Sequence, residues 1–305
     1  MKENAKAIVL ASFAADSLAL GVHWVYDTAL IDKQHGRVAH FLKPSNESYH
    51  PTKERGELTH YGDQTLKLLD TLSGGSGFSL EDFAQSWQDF FKTYQGYMDQ
   101  ATRKTLENFQ KGKGPRESGS PSSDLGGAAR ISPLVYFYRD DLDGLVAASR
   151  AQTAMTHNQP QVIDSAEFFA RVASKVHHGT PPKTAIKSVV DEHFNKAPYH
   201  QWVSEGFASA NMETRATVSG FGQMCEIGAA FPAVIHLLAR YEDNLEEALV
   251  ENVMAGGDSA ARGMVTGMIL GAYLGMEAIP ADWLADLKNR ETIMRRLDRI
   301  DSEGK

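Results

Sequence analysis

A single cysteine, Cys225, in 305 residues excludes an intrachain disulfide framework and a thiolate zinc cluster, because both need several thiols. Positive charge is also in short supply. The chain has 31 Lys and Arg against 39 Asp and Glu, a net charge of -8 and a pI near 5.8. A surface of that sign does not attract nucleic acid or an anionic membrane, so neither is expected as a partner, though a local basic pocket is compatible with it. Long apolar runs are missing as well. The one candidate for a membrane span, Gly263 to Met276, is fourteen residues long and bracketed by Arg262 and Glu277, which is short for a bilayer. Its glycines fall at 263, 267, 271 and 275, one per turn. Such a face allows close helix contact in a membrane, but equally inside a soluble helical core, which is the reading adopted here. The apolar run after Lys2 and Lys6 contains Asp16 and passes into Gly21-Val22-His23-Trp24 without a small-residue cleavage pattern. A cytoplasmic protein is therefore expected.

Period-two alternation is scarce, and apolar residues mostly recur at three and four. Helices are expected over 4–20, 65–73, 140–156, 161–177, 183–192, 222–240 and 286–300, and another carries Phe83, Trp87 and Phe91 after Ser79. Segment 111–123, rich in Gly, Pro and Ser, is the main irregular stretch. It is also where a two-domain alternative would divide the chain, although composition does not break there strongly. The expected architecture is all-α: a single multi-helix domain over 1–305, with sites where helix ends meet. The aromatic residues of 87–98 are expected at the surface, where two copies could meet as a homo-oligomer.

Two acidic motifs with small residues stand out. They are Tyr61-Gly62-Asp63-Gln64-Thr65, before an apolar helix, and Gly256-Gly257-Asp258-Ser259-Ala260-Ala261, leading into the glycine-spaced stretch. Asp63, Thr65, Asp258 and Ser259 together offer an incomplete oxygen shell for magnesium, which wants about six oxygens. Helix capping accounts for either motif, taken alone, more often than a metal does. Glu57 and His60 lie on the approach to Asp63. Asp16, inside an apolar run, needs a partner for its charge; it either braces a neighbouring helix end or holds the ligands of a site. Gly126-Gly127-Ala128, followed by Arg130, can cradle a phosphate on backbone amides or simply make a tight turn. His157, before Asn158-Gln159-Pro160, can line a pocket or cap the preceding helix. His23 and Trp24 offer a stacking face or core packing. Phe221-Gly222-Gln223 is read as opening the helix of 222–240, with Cys225 an inert thiol inside it. No Walker or Rossmann spacing is present, and no nucleophilic triad is indicated.

Taken in order, these motifs resemble those of the ADP-ribosylglycohydrolase family, of the dinitrogenase-reductase-activating type. The resemblance runs through Ala15-Asp16-Ser17-Leu18, Tyr61 to Thr65, Gly126 to Arg130, Thr156-His157, Phe221-Gly222-Gln223 and Gly256-Gly257-Asp258, nearly the whole chain. It implies an all-helical domain with a cleft for ADP-ribose and, in active relatives, two magnesium or manganese ions. It also implies that Gly126 to Ala128 lie along the diphosphate with Arg130 beside them, that His157 and Phe221 are ligand-binding, and that Asp63 and Asp258 are surviving metal ligands.

The departures are specific. The family's Tyr-Thr-Asp-Asp-Thr has Gly62 and Gln64 here, and its Gly-Gly-Asp-Thr-Asp-Thr has Ala260 and Ala261. Two divalent ions held close together repel each other unless anions screen them, so one weakly held magnesium ion or none is expected. The glutamate usual in the family soon after the motif at Ala15 to Leu18 is also missing, since Gly21-Val22-His23-Trp24-Val25-Tyr26 occupies that region, leaving Asp63, Glu57 and Asp258 as candidates for the carboxylate that glycosyl cleavage needs. The expectation is a hydrolase acting on an ADP-ribosyl or related N- or O-glycosidic bond of an ADP-ribose-like or nucleoside-like ligand, with weak or absent metal dependence. The alternatives are an inactive ADP-ribose-binding or regulatory homologue, and a scaffold kept for packing alone.

Overall fold

The computed structural model describes residues 2–75 and 77–303. Helix α1 spans Lys2–Leu20, α2 Thr28–His35, α3 His60–Leu72, α4 Leu80–Phe91 and α5 Gln100–Gln110. Two short pieces, α6 (Gly126–Ala129) and α7 (Ser132–Phe137), precede α8 (Leu142–Thr156), α9 (Pro160–His177), α10 (Pro182–His193) and α11 (Tyr199–Ala208). Then come α12 (Thr214–Phe221), α13 (Ile227–Arg240), α14 (Leu245–Met254), α15 (Ser259–Leu274), α16 (Ala281–Asp286) and α17 (Arg290–Glu303), with a 3-10 turn at Met276–Ala278. Among the described residues there is no strand, only isolated bridges between Ser120 and His157 and between Asp124 and Glu226. The fold is all-α, as the periodicity requires.

The organising contact is α1 against α15. Both helices are apolar on nearly every side, so both must be buried. A Cβ added at Gly267 would lie 2.6 Å from the carbonyl oxygen of Ala11, and one at Gly271 2.4 Å from that of Ala7. The glycine stripe is therefore what lets the two backbones touch, with Ala7, Ala11 and Ala15 as the small residues opposite. Around this pair one apolar cluster runs from Ala5 to Ile300, taking in Ile293, Leu297 and Ile300 from the buried face of α17. No described helix is long and apolar enough to cross a membrane.

Some boundaries differ from the sequence expectation, for local reasons. Helix α3 starts at His60 because the Thr59 hydroxyl accepts from the Tyr61 amide, so the first acidic motif lies within its opening turns. Phe221 closes α12 instead of opening a longer helix: Gly222, at φ 107, ends it, and α13 begins at Ile227. Cys225 lies in the loop between them, partly buried. Trp87, expected at the surface, is fully buried, and Phe91 nearly so. Helices α2, α5, α11, α12 and α14 went unread because they are short and their polar residues blur the apolar period.

Candidate functional site

Asp16 projects from α1 toward the start of α3 and is fully buried. Its Oδ2 accepts from the Thr59 amide at 2.7 Å and its Oδ1 from the Thr59 hydroxyl at 2.5 Å. It thus braces the residue that caps α3. Burial raises its pKa to about 6, against the two Thr59 hydrogen bonds. Gly62 is part of the same arrangement, since a Cβ there would lie 2.2 Å from Asp16 Oδ2.

Asp63, one turn into α3, carries its own cation. Lys53 Nζ and the Tyr94 hydroxyl each donate to its Oδ2 at 2.6 Å. The Lys53 and Asp63 side chains are only 14% and 12% exposed. Burial raises the Asp63 pKa, and Lys53 and Tyr94 oppose that rise. Gln64 points the other way, into the core. Its carbonyl accepts from Trp87 Nε1 at 2.9 Å and from Arg130 Nη1. Arg130 also donates to the Thr156 hydroxyl and is fully buried, which lowers its pKa to about 10. The Thr65 hydroxyl donates to the Tyr61 carbonyl at 2.8 Å. The Glu57 carboxylate accepts from the Glu54 amide at 2.7 Å, and its backbone carbonyl accepts from Ser17.

Asp258 caps α15, with Oδ1 accepting from the Ala261 amide at 3.3 Å, while Oδ2 accepts from the Tyr61 hydroxyl at 3.2 Å. Tyr61 thereby ties the first acidic motif to the second. Burial lifts the Asp258 pKa to about 6, with Arg262 and the Ala261 amide opposing. The neighbouring Ser259 hydroxyl is buried without a hydrogen-bond partner among the described residues. Gly256 and Gly257, both at positive φ, pass close under Phe221-Gly222-Gln223. The Gln223 carbonyl accepts from the Asp258 amide at 2.9 Å and would lie 2.1 Å from a Cβ on Gly257. Phe221 itself packs against Val218, Ala233 and Ala255.

The Gly126-Gly127-Ala128 turn is packed tightly. A Cβ on Gly126 would meet the Tyr61 ring at 2.2 Å, and one on Gly127 the His157 ring at 2.6 Å. His157 is the residue just after α8; its Nδ1 contacts the Thr156 hydroxyl at 2.9 Å, while Nε2 is buried without a partner. Burial first, then Arg130, lower its pKa to about 4. Beside this turn a cavity of about 600 Å³ is lined by Gln100, Arg103, Lys104, Ser120, Ser122 and Asp124, among others. Its wall, 120–124, leads straight into Gly126.

The structure therefore links Asp16, Asp63, Asp258, Gly126, Gly127 and His157 through Tyr61, Thr59 and their neighbours. Lys53, Tyr94 and Asp99 were not picked out from the sequence. The only available signal was their local setting: a lysine ten residues before Asp63, and the Tyr94-Gln95-Gly96-Tyr97-Met98-Asp99 run before α5. Nor did the sequence show how closely histidine rings crowd here. His23 stacks on Trp24 with centroids 4.3 Å apart, and His50 and His60 lie 5.5 and 6.0 Å from His23.

The profile of the ADP-ribosylglycohydrolase family matches residues 1–304. Crystallin J1B of Tripedalia cystophora is 26% identical, over 96% of this chain and 95% of its own length. The ADP-ribosyl-[dinitrogen reductase] glycohydrolase of Rhodospirillum rubrum is 35% identical over 80% of this chain and 79% of its own. Among solved structures, an ADP-ribosylglycohydrolase-related protein complex superposes with a TM-score of 0.78 at 21% identity, covering 100% of this chain and 99% of that one, a likeness of fold.

Proposed function

Because the chain belongs to the ADP-ribosylglycohydrolase family, we propose that it is a hydrolase of an ADP-ribosyl or related N- or O-glycosidic bond, working without magnesium. One observation carries the second half: Lys53 Nζ lies 2.6 Å from Asp63 Oδ2. A protein-borne cation already screens the carboxylate that a metal would need. The other proposed magnesium oxygens are engaged too, Thr65 with Tyr61 and Asp258 with Ala261 and Tyr61. Only the Ser259 hydroxyl among them lacks a partner. That donor set does not suit an ion that wants about six oxygens.

In this reading Lys53 and Tyr94 both hold Oδ2 of Asp63, leaving Oδ1 to activate water or to stabilise positive charge on the sugar as its bond breaks. Burial raises the Asp63 pKa against Lys53 and Tyr94, and Asp258, raised by burial to about 6, is a second carboxylate whose pKa lies closer to neutral pH than the ordinary value. Glu57 serves the turn before α3. The cavity at Arg103 and Ser120–Asp124 has the volume of a small-ligand site and offers a cation and hydroxyls to a diphosphate.

The test is release of ADP-ribose from arginine- and serine-linked substrates, with magnesium and with chelator. Turnover should be the same in both, and Asp63→Asn should lower it by about a hundredfold or more. No release under either condition, or full dependence on magnesium, overturns the proposal. A second reading, a helical scaffold kept for packing alone, is favoured by the packed glycine turn, where Tyr61 and His157 fill the space beside Gly126 and Gly127. It predicts neither calorimetric binding of ADP-ribose nor turnover.

A further inference from the structure

His23, just after α1, His50, in the loop before α3, and His60, the first residue of α3, meet from three separate segments. One ring nitrogen from each lies within 4.8 Å of the other two. All three residues are buried, at 3%, 1% and 1% exposure, and none of their six ring nitrogens makes a well-aligned hydrogen bond among the described residues, the nearest acceptors being Asp99, 3.4 Å from His60 Nε2, and Asp258, 3.8 Å from His23 Nδ1. A buried polar atom left unpaired costs about 1–3 kcal/mol, so six together at one point need an explanation. Stacking among the rings does not supply it, because each neutral imidazole still has one N–H and one lone pair to place.

We propose that His23, His50 and His60 form a metal site for a borderline divalent transition ion, zinc being the representative. Three nitrogens within 4.8 Å of one another share a point no more than about 2.8 Å from each; zinc–nitrogen bonds of about 2.0–2.1 Å then need an inward tilt of roughly 0.7 Å per ring. Imidazole nitrogen selects zinc and its neighbours over magnesium, which takes oxygen.

Two carboxylates stand behind the rings. Asp99 Oδ2 is 3.4 Å from His60 Nε2, and Asp258 Oδ1 is 3.8 Å from His23 Nδ1. A carboxylate beside one nitrogen of a ligating imidazole orients the ring for the metal on its other nitrogen, the carboxylate–histidine–metal arrangement. Burial, then the neighbouring histidines, keep His23 and His50 in the neutral form that ligates. The segment is also held under constraint. Trp24, stacked on His23, has φ 64, a conformation that non-glycine residues adopt at a cost and that tends to mark functional sites.

Elemental analysis of the full chain after loading with zinc and exhaustive dialysis should find about one equivalent retained. Cobalt substitution should give the visible absorption of a tetrahedral nitrogen site. His50→Gln should weaken zinc at least about tenfold, and Asp99→Asn, which removes a positioning carboxylate, by about 10–100-fold. Zinc retained equally by wild type and His50→Gln would mean binding at surface histidines only and overturns the proposal. So does a cobalt-loaded wild type with no tetrahedral absorption, a result that does not depend on any variant folding. Metal content is read without turnover, so this site and the proposed hydrolase activity can fail separately.

Discussion

At Asp16 a carboxylate has given up water for two hydrogen bonds from Thr59. Its pKa is raised to about 6 by burial, above the ordinary 3.8, so the folded state binds this proton more tightly than the unfolded chain does. The folded state therefore gains from protonation. That gain is complete below about 3.8 and is lost as pH rises through about 6, at an order of 3 kcal/mol. Stability of the wild type relative to Asp16→Asn, which does not titrate, should accordingly improve as pH falls from 7 to 4; urea denaturation across that range reads it. Gly62 depends on the same carboxylate. Gly62→Ala should cost about 1–3 kcal/mol by overpacking, and less in an Asp16→Ala background, because the nearest clash partner is gone and only Leu58 Cβ, 2.9 Å from the new methyl, remains. Lys53→Met, which strips the cation from a largely buried pair, should cost about 3–5 kcal/mol, measured by the thermal midpoint at neutral pH. The sequence indicated Asp16 as a group in need of a partner, and Asp63 and Asp258 as metal ligands or helix caps. It did not indicate which partners, because Lys53, Tyr94 and Tyr61 reach them across loops.

Helix α15 was readable in advance as a close-packing helix, because a glycine every fourth residue makes a smooth face whatever surrounds it. Which helix fills that face was not readable; α1 answers with Ala7, Ala11 and Ala15. Gly267→Ala and Gly271→Ala should each destabilise by about 1–3 kcal/mol despite better helix propensity, since the new methyl meets backbone oxygen. Gly220→Ala, in α12 with nothing within 4 Å of the added Cβ, should instead be neutral or stabilise by up to about 1 kcal/mol. Chemical denaturation of the three variants checks the contrast. The helix ends show a similar division. Helix α4 was expected after Ser79, and the structure shows why it starts there, the Ser79 hydroxyl accepting from the Asp82 amide. The start of α3 was misplaced because its cap, Thr59, is fixed from outside by Asp16.

Across the molecule, one apolar cluster joins residues on both sides of 111–123, so urea unfolding should show a single cooperative transition; two separated steps would restore the two-domain alternative. The C-terminal helix belongs to that unit. Ile293, Leu297 and Ile300 are buried in it, and Asp301 accepts from Tyr136 and Arg139. Removing α17 takes away roughly 5–9 kcal/mol of apolar burial, comparable to the whole stability of a domain. The truncated chain should therefore lose its cooperative transition, with near-ultraviolet circular dichroism as the readout.

The sequence by itself determined the helical class, the order of the motifs and the thinning of the metal ligands. Period, glycine spacing and residue identity are local properties that survive any arrangement in space. Only the tertiary structure decided that Gln64 turns to Arg130 and Trp87, that Lys53 sits on Asp63, and that His23, His50 and His60 meet. Each of those depends on distances between segments that are far apart along the chain. Such distances are set by how α1, α3 and α15 pack, which no short stretch of sequence encodes.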